Sequence, residues 1–212
     1  MDRDEILSWV KAERLGLADL LDDLEDHEWE AASLCSGWTV RDVAAHLTLS
    51  TGSPLLGTIR DVIRARGDFN RMEADKARER AARFEPAELV AHIRATAGSA
   101  RRSLGSRPLD PLVDMLVHGQ DIVRPLGRVR EMPVERAIAA LDHVRVDISP
   151  AYGARKRLRG TRLVATDVEW SAGKGPDEVR GPVGDLLLVA TGRAAGLAGL
   201  SGPGAERIAA TL

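Results

Sequence analysis

Residues 110–127, DPLVDMLVHGQDIVRPLG, decide how the chain is read. Asp110 is a favoured N-cap type, Pro111 suits a first helical position, and Pro125 with Gly127 closes the run, so the stretch is predicted to be a helix. Asp114 and His118 are four residues apart and share one helical face, with Cβ atoms roughly 5–6 Å apart. A carboxylate and an imidazole so placed can ligate one cation from one side. A third ligand must come from another helix, and His46 in TVRDVAAHL, residues 39–47, is the candidate. The expectation is a helical bundle holding one divalent cation on His46, Asp114 and His118.

Bulk composition narrows the function classes. The chain has 212 residues, 44% hydrophobic and 29% charged, which is enough for one good core, or one core plus a small appended unit, and is not the composition of a disordered protein. A net charge of −2 and a pI near 6.2 give no global field for nucleic acid or anionic membrane. The basic run ARKRLRGTR around Lys156 is the local exception, and Tyr152 alone offers base stacking beside it, so nucleic acid is not expected as a partner. With one cysteine, Cys35, neither an intramolecular disulfide nor a cysteine-based zinc site is expected. MDRDEILSW lacks the basic-then-apolar pattern of a signal peptide, and no apolar run is long enough to span a bilayer, so a cytoplasmic protein is expected.

Along the chain, Ile6, Val10, Leu17, Leu20, Leu21 and Leu24 recur at helical spacing among acidic residues, predicting an amphipathic helix over 2–25 with a negative outer face. Residues 27–38 read as a packed connecting loop. Thr39 and Asp42 form a capping-box pattern that starts a helix through Val43, Ala44 and Leu47; the periodicity pauses at 51–54 and resumes over 55–66. Residues 67–85, rich in Arg, Glu, Asp and Ala, read as a solvated helix or a mobile crossing segment able to cover a pocket. Pro86 opens a helix through Leu89, Val90 and Ile93, and Pro133 opens another through Val134, Ala137, Ile138, Leu141 and Val144. Everything in 1–150 is therefore helical with short links, and an antiparallel bundle is the economical arrangement. Residues 151–212 change texture. Thr161 to Trp170 alternates, with Val164, Thr166, Val168 and Trp170 on one side, then comes the turn-rich SAGKGPDE, a short strand at Val179-Arg180, and a compact apolar helix over 185–190 ended by Gly192-Arg193. The fold class is mainly α, with a small C-terminal α+β domain packed on the bundle.

The site residues also have plainer readings. His46 alone is as well explained as a hydrogen-bonded core histidine, and Asp114 as an acid favoured by the helix dipole. Asp42, four residues before His46, is set aside as a ligand because the capping box accounts for it. Asp121, one turn beyond His118, is assigned to orienting that imidazole, with direct ligation as the alternative. Cys35 has no basic neighbour in sequence and reads as packed and inert. Two imidazoles and one carboxylate with a position left open suit zinc in its catalytic pattern; iron(II) or nickel can use the same set. A dication on that set keeps excess positive charge and stabilises an anion such as thiolate or hydroxide.

Three runs, LCSGWTVRDVAAHL over 34–47, DMLVHGQDIVRPLG over 114–127 and DLLLVATGR over 185–193, resemble the mycothiol-dependent maleylpyruvate isomerase family, within the DinB-like superfamily of metal-binding four-helix bundles. The resemblance implies a metal on His46, Asp114 and His118, with aspartate here where glutamate is usual. It implies a low-molecular-weight thiol, mycothiol, meeting that metal as thiolate and adding to a small electrophilic substrate. Arg193 is then a candidate catalytic and cofactor-binding residue that holds a carboxylate of the thiol or substrate, against the plainer reading of a cation at a helix C-terminus. Reversible addition to a conjugated double bond gives isomerisation, and displacement of a leaving group gives S-transfer. A non-catalytic metal- or thiol-binding regulatory module on the same fold is the alternative.

Overall fold

The structure is a computed structural model that describes residues 1–51, 69–103, 105–147 and 152–212; the helix expected over 55–66 lies outside the described residues. The chain divides into two compact units, Met1–Arg130 and Glu131–Leu212.

In the first unit the described helices are α1 (Arg3–Asp22), α2 (Asp26–Trp29), α3 (Val40–Leu49), α4 (Phe69–Arg83), α5 (Pro86–Ala95) and α6 (Asp110–Val123). Helices α1 and α3 each pack against both α5 and α6, which makes the four-helix bundle, and α4 lies along α3. Leu17, Leu21, Val43, Leu47, Leu89, Ile93, Met115 and Ile122 meet in its core. The capping box is present as read: Asp42 N donates to Thr39 Oγ1 at 3.2 Å and Thr39 N donates to Asp42 Oδ2 at 3.0 Å. Residues 27–38 hold the short helix α2 and then a tight loop, with Gly37 at φ 74°. Helix α6 begins one residue earlier than expected. Leu109 occupies the cap position, and Asp110 is already helical, its Oδ2 instead accepting from Arg107 N at 2.6 Å. Residues 67–85 are not simply a solvated segment, because Met72, Ala77 and Ala81 form a narrow stripe on α4 that is buried.

Two charged residues on α1 are turned inward. Arg14, 2% exposed, donates to the carbonyls of Thr96, Ala97 and Ser99 at 3.1–3.3 Å, satisfying backbone acceptors after α5 has ended. Glu13, 4% exposed, takes Arg130 Nη2 at 2.5 Å, and Arg130 also donates to the carbonyls of Met115 and Glu13. That guanidinium lies where a Cβ on Gly119 would meet it, at 2.5 Å, so the glycine inside α6 is a berth for Arg130.

The second unit comprises α7 (Val134–Val146), α8 (Ala154–Arg157), β1 (Thr161–Ala165), β2 (Ser171–Ala172), β3 (Asp177–Gly181), α9 (Val183–Ala190), a 3₁₀ turn (Ala194–Gly199) and α10 (Pro203–Ala209). The sheet order is β2-β1-β3, with β1 antiparallel to β2 and parallel to β3. Strand β1 covers the first half of the alternating run. Leu163 and Ala165 are buried while Thr166 and Glu169 are exposed, because the strand stops at Ala165 and pairs Leu163 with Val179 and Ala165 with Gly181 on the side where α9 packs. Helix α9 ends in a Schellman motif: Arg193 N donates to Leu188 O at 2.8 Å and Gly192 N to Val189 O at 3.1 Å, with Gly192 at φ 92°. No helix among the described residues is long and apolar enough to cross a membrane.

The Glu13–Arg130 pair ties α1, α6 and the end of the first unit together inside low-dielectric surroundings, where removing one partner strands the other charge. Arg130→Met is expected to lower the unfolding free energy by about 3 kcal/mol, seen as a lower urea midpoint at unchanged slope. A midpoint equal to that of the native chain would contradict the role assigned to the pair.

Candidate functional site

Helix α6 is sealed almost all round. From Pro111 to Val123 every residue is buried except Asp114 and His118. Helix α3 behaves in the same way, for between Val43 and Thr48 only His46 is reached by solvent. The partly open positions on these two stretches are His46, Asp114 and His118, and the patch they share, the recess, is where ionisable side chains reach solvent. His46 and His118 have ring centroids 5.0 Å apart at an interplanar angle of 71°, and the Trp38 ring lies edge-on to His46 at 5.5 Å.

Asp114 is partly exposed, one turn before His118 on α6. Burial pushes the Asp114 carboxyl above the usual aspartate range, and the charges available to His118 and His46 pull it partly back. All three expected ligands thus face the same region. A fourth group joins them from α4: Glu73 Oε2 lies 3.3 Å from His46 Nδ1, with side chains 22% and 17% exposed. Burial works against ionisation of Glu73, but a hydrogen bond from His46 and its charge, with Lys76 and His118 adding, outweigh it and leave this carboxyl below the usual range. Among the described residues Glu73 is the one partner of the buried His46 Nδ1.

The other nitrogen-bearing side of the site is fully occupied. His118 Nδ1 lies 2.9 Å from Oδ2 of Asp121, whose side chain is fully buried. A buried carboxylate accepts, so Nδ1 carries the hydrogen and Nε2 is the nitrogen whose lone pair is left for a ligand. Cys35 Sγ also donates to Asp121 Oδ2, at 3.2 Å, and stands 3.8 Å from His118 Nδ1. The loop carrying Cys35 is fastened here because Leu34 N donates at 3.0 Å to the carbonyl of Asp121, one of the acceptors left over at the end of α6. Among the described residues of the first unit, Cys35, His118 and Asp121 are the set whose ligand atoms all lie within 4.8 Å of one another.

His46 and His118, expected as ligands with Asp114, have rings 5.0 Å apart, and two neighbours were not foreseen from the sequence. Glu73 was hidden in a polar stretch where only Met72, Ala77 and Ala81 hinted at a packed face. Cys35 was read as inert because its partners lie 83 and 86 residues away. Arg193 lies in the second unit at the end of α9, where its Nη1 donates to Thr191 O at 2.7 Å.

His46, His118, Asp114 and Glu73 are donors of the types a divalent cation takes, two imidazoles and two carboxylates, although among the described residues they are not a set whose ligand atoms all lie within 4.8 Å of one another. For Asp114 the folded carboxyl is raised above its unfolded value. Its contribution to stability is therefore present at acid pH and lost as pH rises through the folded value. In metal-stripped protein, Asp114→Asn is expected to be more stable than the native chain at pH 7. That advantage is expected to vanish when the pH falls below the ordinary aspartate range. Equal thermal midpoints at both pH values would contradict the strain assigned to Asp114.

Two solved structures of the mycothiol-dependent maleylpyruvate isomerase, one of them a mutant, match this chain with TM-scores of 0.66 and 0.64 at 13% and 14% identity. Each match covers 96% of this chain and 93% of the other, and at such identity it shows the fold. No curated protein matches the sequence. The family model described as the mycothiol maleylpyruvate isomerase N-terminal domain matches residues 10–132, more than half of the chain and every residue of the recess. By that match the chain belongs to the mycothiol maleylpyruvate isomerase family.

Proposed function

We propose that the chain is a divalent-metal- and mycothiol-dependent enzyme acting on a small electrophile. The observation that carries this reading is the pair of imidazoles, His46 and His118, with ring centroids 5.0 Å apart and with the raised Asp114 carboxyl within reach of their charge. His46, Asp114 and His118 would hold the cation, zinc first among the candidates. Asp114 is one methylene shorter than the glutamate usual in the family, and Glu73, reaching in from α4 beside His46, offers the longer acid arm as a further donor. The cation supplies electrostatic stabilisation of an anionic sulfur beside it. Mycothiol supplies the nucleophilic sulfur, whose reversible addition to a conjugated double bond allows rotation about it, or whose displacement of a leaving group completes an S-transfer.

The residues prepare the recess for that chemistry. Asp121 fixes the tautomer and tilt of His118 through Nδ1, as a buried carboxylate does for a ligating imidazole. The Trp38 ring edge limits the swing of His46. Arg193 is assigned to a carboxylate of the thiol or substrate.

Protein purified without chelator is expected to carry about one divalent ion per chain, lost in folded His46→Ala and His118→Ala variants, with affinity reduced roughly 10–100-fold in Glu73→Gln. Loaded protein given mycothiol and maleylpyruvate is expected to catalyse isomerisation, and Arg193→Ala to raise KM more than it lowers kcat. Stoichiometric metal in a His46→Ala, His118→Ala double variant would remove the assigned site. Metal binding with neither thiol affinity nor turnover would leave the regulatory-module reading instead.

A further inference from the structure

His118 has two faces, and only one of them looks into the recess. On its Nδ1 side, Cys35 Sγ, Asp121 Oδ2 and Nδ1 itself form a triangle with edges of 3.2, 2.9 and 3.8 Å. A triangle of those edges has an interior point about 2 Å from every corner, which is the length of zinc bonds to nitrogen and oxygen and slightly under that to sulfur. Hydrogen bonds hold these atoms in place, and the same spacing is that of ligands around a small cation.

We propose that Cys35, His118 and Asp121 form a second, thiolate-containing cation site that takes a soft dication, cadmium. Occupation of this site excludes His118 from the recess. The exclusion follows from the ring. A neutral imidazole has one lone pair, so a cation on Nδ1 leaves the hydrogen on Nε2, the nitrogen the recess needs. Binding balances as follows: the Cys35 S–H proton leaves to solvent, the imidazole hydrogen moves from Nδ1 to Nε2, and the Asp121 carboxylate exchanges two donors for the cation. The thiolate and carboxylate then neutralise the dication, where the hydrogen-bonded state holds a single negative charge.

The site is built in advance. Asp121 is fully buried and has no freedom to seek water, and the Leu34 to Asp121 backbone hydrogen bond pins the cysteine loop to α6. Within that loop Cys35 N donates to Ser33 Oγ at 3.1 Å and Trp38 N to Cys35 O at 3.0 Å, so the thiol is held at its position by its own backbone. Cys35 is half-buried, which leaves a route for an ion. A cysteine-based site in a chain with one cysteine takes its other two ligands from α6. The site itself does not depend on the enzymatic reading; only the exclusion does.

The test is titration of the metal-stripped full chain with cadmium chloride, kept reduced with a phosphine, while recording ultraviolet absorption. Cys35 is the sole cysteine, so any thiolate-to-cadmium band reports on it. The band is expected to saturate at one cadmium per chain, to persist in His46→Ala, and to need at least ~10-fold more cadmium in Asp121→Asn and in His118→Ala. Absence of the band in the native chain would overturn the proposal. So would an unchanged midpoint in whichever of the two α6 variants keeps its native circular dichroism, since that is the behaviour of a lone thiol. Two tightly bound cadmium ions per native chain would overturn the exclusion. Because His46→Ala removes the recess set and leaves this one intact, failure of the enzymatic reading and failure of this site are read separately.

Discussion

Much of the bundle's interior follows from keeping the Asp114 carboxyl inside it. A carboxylate away from water is unstable unless positive charge or hydrogen-bond donors stand near it, and the surroundings of Asp114 are arranged accordingly. His118 lies one turn along the same helix, His46 faces it from α3, and the Arg14 guanidinium, buried at the end of α5, feels its charge. The charges available to His118 and His46 only partly offset the burial, and the carboxyl remains raised. A fold that retains such a group forgoes stability, as sites held for binding commonly do. A dication is the partner that would relieve the strain.

Asp121 answers the same constraint differently. It is fully buried but sits with two donors, the imidazole N–H of His118 and the thiol of Cys35. One helix thus carries two interior acids, one short of donors at the open recess and one satisfied behind it, with His118 between them. The imidazole couples the two, since the face it presents to Asp121 decides which nitrogen it can present to the recess.

Much of this was legible locally. Caps and periodicity located α1, α3, α5, α6, α7 and α9, because Thr39 with Asp42, Pro86, Pro133 and Gly192 act within a turn of themselves. The Asp114–His118 face was legible because i,i+4 geometry is fixed by the helix. What escaped notice is tertiary. Glu13 and Arg14 look like solvated charges until Arg130 and the carbonyls after α5 are placed against them. Glu73 is one acid among many on α4, picked out only by α3 packing beside it. The phase of β1 depended on which side α9 would cover, and alternation in one strand carries no such information. Cys35 looked inert because its partners sit on another helix.

The central claim is that His46 and His118 share one cation over Asp114. X-ray absorption at the zinc edge, on native protein loaded with one equivalent of zinc, tests it most directly. The account expects the outer-shell scattering of two imidazoles together with at least one carboxylate oxygen in the first shell. A spectrum with one imidazole or none, or with sulfur in place of the second, would contradict it.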